Sequence, residues 1–209
     1  MSGRRDRRHG ALHLLAGLAG GFAAGTIPTG ELVTRALTGQ KLSDLGNGKA
    51  GSSNVARSVG WKAGALVLAL DALKAYAPAT LARVNGAGNN EVAAIGVSAM
   101  CGHIAVVKGR GAASALGAAF AMDPAMMAIG CVPLVGGSVL HHHAEAVTVT
   151  ALSLPVISLA LHRSPRRALG PLLLITVLFA ARLRGSPGAS LPDSPEVLRN
   201  RFLLDRDER

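Results

Sequence analysis

The chain has 209 residues, 49% of them hydrophobic and only 16% charged, against about 25% charged in a typical soluble domain. That balance excludes a disordered polyelectrolyte, and 26 glycines without a G-X-Y period exclude collagen. A net charge of +10 points to anionic partners: phosphates, acidic lipid headgroups or nucleic acid.

In chain order the apolar residues fall into seven blocks, at 11–33, 64–81, 92–107, 112–122, 125–140, 146–161 and 168–183. Only the first reaches the roughly 20 residues that cross a hydrocarbon core comfortably, and Pro78, Pro133 and Pro155 interrupt three of the others. A soluble α-helical core of this size normally leans on aromatic side chains, yet these make up 3% of the chain. Abundant Gly and Ala instead suit helices that approach closely in a bilayer. The expected fold is all-α: a polytopic integral membrane bundle of about seven short or broken helices. Cys101 and Cys131 lie inside apolar blocks and read as buried thiols.

Between the first two blocks runs a long polar loop, 35–62, and shorter polar loops follow at 108–111 and 141–145. From 185 onward the chain is rich in Pro and charge and lacks an apolar stripe, which reads as a solvated tail beyond a membrane domain at 1–184. The long loop carries Gly46-Asn47-Gly48-Lys49-Ala50-Gly51, which formally fits G-x-G-x-x-G. As a dinucleotide fingerprint it fails, because neither a β-branched strand before it nor the acidic residue after it is present. What remains is the physics of an anion nest: glycines turn backbone N–H groups toward one point, Ser52, Ser53 and Asn54 add donors, and a helix starting near Ser53 aims its N-terminus there. Arg57, one helical turn after Ser53, can reach a bound phosphate bidentately. The alternative is a Gly-rich connector with a solvated Arg.

Asp71 and Lys74 lie three residues apart in an apolar block, hence on one helix face. Ionisable groups inside a membrane pair with each other or face a cavity, so the two read as a structural pair or a pocket wall. His103 lies toward the end of the third block, beside Gly102. His141, His142 and His143 point different ways on a helix and lack a carboxylate pattern, so no metal site is expected there. Nucleic acid is an unsuitable partner, since the chain has no aromatic stacking platform.

These motifs resemble those of the bacterial acyl-phosphate:glycerol-3-phosphate acyltransferases, integral membrane enzymes of phospholipid synthesis. That family has a G-S-I-P-x-G turn, matched by Gly25-Thr26-Ile27-Pro28-Thr29-Gly30. Its G-S-G-N-x-G-A-T-N-x-x-R loop corresponds without a gap to residues 46–57, and its D-x-x-K-x-x-x-P helix to Asp71, Lys74 and Pro78. Its second loop, G-H and later G-G-K-G-x-A-T, corresponds to Gly102-His103 and to Lys108-Gly109-Arg110-Gly111-Ala112-Ala113-Ser114. The order and spacing agree over roughly residues 20–125. The chain is thus a divergent member: Asn47 stands where the family has a serine and Lys49 where it has an asparagine. A counterpart of the third motif, an H-R-E-N-like run near the C-terminus, is missing; the nearest run is Ala181-Arg182-Leu183-Arg184.

The resemblance implies acyl transfer from acyl phosphate to the 1-hydroxyl of glycerol 3-phosphate, giving lysophosphatidate and inorganic phosphate, in the bacterial cell membrane and without a cofactor or metal. It implies catalytic positions at Asn47, Ser53 and His103. Phosphate binding falls to Gly46, Gly48, Gly51, Ser52, Asn54, Arg57, Lys108, Gly109, Arg110 and Gly111. The replaced motif residues leave an alternative: a catalytically impaired relative that binds a phosphorylated lipid precursor and regulates or scaffolds lipid synthesis.

Overall fold

A computed structural model describes residues 2–46, 48–185 and 189–206, with side chains from residue 10 onward. Its regular structure is helical throughout the described residues, as expected. The first block forms α1 (Ser2–Gly25) and α2 (Thr29–Thr38), separated by a break at residues 26–28 where Pro28 lacks the N–H a continuous helix needs. A single 3₁₀ turn, Leu42–Asp44, and the short α3 (Ser52–Ser58) follow in the long loop. Then come α4 (Trp61–Val84), α5 (Asn89–Gly102), a π-turn at His103–Val107, α6 (Ala112–Met122), α7 (Pro124–Val139), α8 (His143–His162) and α9 (Pro165–Arg184).

All seven apolar blocks are helical, but the helices outrun the blocks. α4 spans 24 residues and α8 and α9 20 each, because helix geometry continues into polar flanks that the apolar count omits. The interruptions also fall elsewhere than expected. Pro78, Pro133 and Pro155 sit inside continuous helices, as membrane helices allow when neighbours and local adjustments satisfy the freed carbonyls. The break is at Pro28, while at His103 α5 passes directly into a π-turn. Four segments are long and apolar enough to cross a bilayer: Gly10–Thr38, Trp61–Val84, Asn89–Val107 and His143–His162, with α6 and α7 as shorter apolar helices.

Packing is inverted relative to a soluble protein. Leu66, Leu73, Val132, Val135, Val156 and Leu172 point outward, whereas the interior of α5 is lined by Val92, Ala93, Gly96 and Ala99. α5 is central, touching α1, α4, α6 and α9. Backbones approach so closely that a Cβ at Gly25 would lie 2.0 Å from the Ala99 carbonyl oxygen, and one at Gly117 1.9 Å from that of Ala72. The expected small-residue packing is therefore literal at these crossings. Cys101 departs from expectation: it lies on the outer face of α5 and is exposed, while Cys131 is half-buried.

The segment after α9 is likewise not a free solvated tail. Residues 195–204 fold into α10 (Pro195–Arg199) and a π-turn (Asn200–Leu204), burying Val197, Asn200 and Arg201. An aromatic ring, Phe202, stacked on Phe179 of α9 with centroids 4.2 Å apart, holds it there. Leu191, Val197, Leu198, Phe202, Leu203 and Leu204 are set among prolines and charges over too short a run to read as a membrane block, which is why the sequence pattern does not disclose the docking.

Candidate active site

The site begins at the α1–α2 break. Freed from the helix ladder, the Ile27 carbonyl accepts a hydrogen bond from the Lys74 ammonium. Lys74 Nζ also lies 2.6 Å from Asp71 Oδ1, and Thr29 Oγ1 donates to the same oxygen at 2.5 Å. One buried carboxylate, 2% exposed, thus ties α4 to the turn between α1 and α2. Ser114 of α6 donates to the Asp71 carbonyl at 3.1 Å, adding a third element.

His103 is 4% exposed. Its Nδ1 stands 3.8 Å from Asp71 Oδ1, beyond hydrogen-bond reach, and has no partner among the described residues. The other side of the ring lies on the 108–111 loop: a Cβ at Gly109 would meet His103 Nε2 at 2.0 Å. Only glycine lets this loop cross the imidazole so closely. Lys108, at φ +60°, and Gly111, at φ +75°, turn the loop into α6.

In the 46–57 loop, Gly46 adopts φ +57°, and a Cβ there would strike Asn54 Oδ1 at 2.3 Å. Asn54 is 2% exposed, and its Nδ2 donates to the carbonyls of Leu45 and Lys49, both at 3.1 Å. Asn54 thus braces the loop while also lining the cavity that the two loops share, and Gly46, packed against it, is not among the lining residues. α3 begins at Ser52, one residue before the expected start, and is two turns long.

The two loops share one cavity of about 2470 Å³. Gly48, Gly51, Ser52, Ser53 and Arg57 line it from one side, and His103, Lys108, Gly109, Arg110 and Gly111 from the other. Asp71 belongs to its wall, whereas Lys74 does not; Lys74 is the structural member of the pair. Asn47 lies outside the described residues. Basic side chains outnumber acidic ones in the lining: Lys49, Arg57, Lys108, Arg110, Arg182, Arg184 and Arg206 against Glu31, Asp71, Glu145 and Asp205. Apolar side chains, among them Leu116, Met127, Leu154, Leu174 and Leu178, line it as well. A cavity with both cationic and apolar lining suits a ligand that joins a phosphate to a hydrocarbon chain.

The residues 15–187 match the glycerol-3-phosphate acyltransferase family. The chain belongs to this family. It is 34% identical over 170 residues to the glycerol-3-phosphate acyltransferase of Trichlorobacter lovleyi, a match covering 78% of this chain and 84% of that one. The corresponding protein of Geobacter sulfurreducens is 31% identical over 170 residues, covering 78% and 86%. A crystal structure of PlsY (YgiH), an integral membrane glycerol 3-phosphate acyltransferase, in its glycerol 3-phosphate form, superposes with a TM-score of 0.72 at 25% identity, covering 81% of this chain and 88% of that one. Family membership and the fold match agree with a multi-pass protein of the bacterial cell membrane.

Thr29, Thr148, Arg182 and Asp205, in or beside that cavity, are not among the expected site residues. Thr29 sits in the matched Gly25–Gly30 turn but carries its own contact to Asp71. Arg182 donates to Thr148 Oγ1 at 2.7 Å, and Arg110 to Asp205. The available signal was a charged residue, Arg182, near the end of an otherwise apolar helix, where burial of a cation demands partners.

Proposed function

We propose that this chain transfers the acyl group of an acyl phosphate to the 1-hydroxyl of glycerol 3-phosphate. The observation that carries the reading is the common cavity, which is lined by the two motif loops, their cations and apolar side chains together.

The chemistry asks for little covalent work. Acyl phosphate is a mixed anhydride with a good leaving group. The glycerol hydroxyl oxygen attacks its carbonyl carbon, the anhydride C–O bond breaks, and inorganic phosphate departs. Two phosphates held close together repel each other strongly in a poorly hydrated site. Arg57 with the N–H groups of residues 51–53, and Lys108 with Arg110, offset that repulsion from opposite walls. Orientation and fixed positive charge then supply most of the acceleration. The hydroxyl proton is taken up by His103, whose Nε2 lies against the 108–111 loop; Asp71, 3.8 Å from Nδ1, stabilises the imidazolium formed. Ser53, on the exposed face of α3, is a donor to the substrate phosphates. The apolar lining residues receive the acyl chain.

Purified protein in lipid nanodiscs, given acyl phosphate and glycerol 3-phosphate, should release lysophosphatidate and inorganic phosphate in equal amounts. An Asn47→Ser variant run beside it separates the second reading, which the replaced serine favours. Turnover by the wild type supports the enzyme. Turnover only by the variant assigns the chain as an impaired relative that still binds a phosphorylated lipid precursor.

A further inference from the structure

The chain beyond α9 returns to the bundle and docks on it. Gly185 leaves the helix at φ +77°, and a Cβ there would lie 2.8 Å from the Arg201 guanidinium carbon, so only glycine lets Arg201 pack against the helix end. Arg201 Nη1 donates to the Leu183 carbonyl at 3.0 Å, Thr148 Oγ1 of α8 to that of Leu203 at 3.0 Å, and Arg182 Nη1 of α9 to that of Phe202 at 3.1 Å. Val197 is buried, and the Phe202 ring lies on Phe179. From residue 189 onward the segment lies beyond the matched family region, which ends at 187.

The far end of the segment meets the second motif loop, where Arg110 Nη1 donates to the Asp205 carbonyl at 2.7 Å. The segment is thus tied to α8 and α9 on one side and to the 108–111 loop on the other, and it bridges the space between them. Leu191, the half-buried Leu204, Asp205 and Arg206 line the same cavity as His103 and Gly109. Water is a rival acceptor in such a cavity. A water oxygen that reaches the carbonyl carbon of acyl phosphate breaks the same anhydride C–O bond as the glycerol hydroxyl does. The products are then a fatty acid carboxylate and inorganic phosphate; of the two water protons, one ends on the phosphate and one in the solvent. Enclosing a site suppresses side reactions of this kind.

We propose that the docked C-terminal segment is a wall of the active site that selects the glycerol hydroxyl over water as the acyl acceptor. Phe202 anchors the wall on α9, and Leu204 gives it an apolar surface toward the cavity, which offers water no hydrogen bond. With the segment released, the space between the 108–111 loop and α8–α9 opens to solvent. The proposal rests on the acyl-transfer reading above and deepens it by naming what reserves the activated acyl group for its proper acceptor.

The test compares three full-length proteins in nanodiscs, each given acyl phosphate and saturating glycerol 3-phosphate: wild type, Leu204→Ala, and the double variant Val197→Asp with Phe202→Ala. The double variant removes the ring contact and puts a charge at a position only 6% exposed, so the segment is released. Leu204→Ala leaves both anchors in place. Inorganic phosphate, lysophosphatidate and free fatty acid are counted together. Wild type should release phosphate and lysophosphatidate in equal amounts. The double variant should release at least about threefold more phosphate than lysophosphatidate, with fatty acid making up the difference, and Leu204→Ala a smaller excess. Equal amounts from an active double variant overturn the proposal alone, as does a wild type that already releases the excess. Where the double variant has lost all turnover, Leu204→Ala decides: an excess of phosphate supports the wall, and equal amounts overturn it. A wild type that forms no lysophosphatidate overturns this proposal and the functional reading together.

Discussion

His103 and Gly109 are in contact across the wall of the cavity: a single methyl at position 109 would lie 2.0 Å from the imidazole Nε2. Either the ring or the loop must move to admit it. Gly109→Ala should therefore lower kcat/KM at least tenfold, which is a loss of about 1.4 kcal/mol of transition-state stabilisation. Gly20→Ala, in α1 with open space around its would-be Cβ, should stay within about twofold of wild type. Equal activity of the two variants would separate His103 from the 108–111 loop.

The Asp71–Lys74 pair joins α4 to the break between α1 and α2, and both side chains are buried. Removing one member strands a charge away from water. Lys74→Met and Asp71→Asn should each destabilise the protein, the former by roughly 3–5 kcal/mol. Thermal unfolding of the detergent-solubilised protein reads this directly. A variant melting within a degree of wild type would show that the pair does not brace the turn.

At the opposite end of the bundle, Asp123 caps α7, accepting from the Met126 amide at 3.0 Å, and pairs with His162. Burial pushes its carboxyl up, but the amide bonds and the His162 hydrogen bond and charge outweigh that and hold it below the usual carboxylate range. A carboxyl held low in the folded state contributes stability that is present above its unfolded value, about 3.9, and is lost as pH falls through the folded one. Wild type should thus melt above Asp123→Asn at about pH 5, where the carboxyl is ionised in both folded and unfolded states. The margin should close below about pH 4. A margin that persists through strong acid would contradict this origin.

Much of the architecture was legible because the bilayer imposes one rule everywhere: apolar blocks become helices, and scarce aromatics with plentiful Gly and Ala mean close helix contact. Expected site residues that sit in short contiguous runs come together in space: Gly48, Ser52 and Arg57 lie on one loop, His103, Lys108 and Arg110 on the next, and all line one cavity. What escaped were roles that depend on distant partners. Asn54 reads as a phosphate donor from its neighbours in sequence, yet the carbonyls of Leu45 and Lys49 engage its amide. Asp205 reads as one more charge in a polar tail, yet it lies on Arg110, 95 residues away in the chain. Prolines misled for a related reason: Pro78, Pro133 and Pro155 signal breaks by local rules, and the surrounding helices override them.

The account depends most on Arg57 gripping a substrate phosphate in the cavity. The most direct measurement is the steady-state kinetics of acyl transfer by wild type and Arg57→Ala in nanodiscs, with both substrates varied. Removing a charged hydrogen-bond donor from a phosphate should raise KM for glycerol 3-phosphate or acyl phosphate at least tenfold, corresponding to about 1.4 kcal/mol or more. Equal KM values for both substrates in an active Arg57→Ala protein would contradict the account.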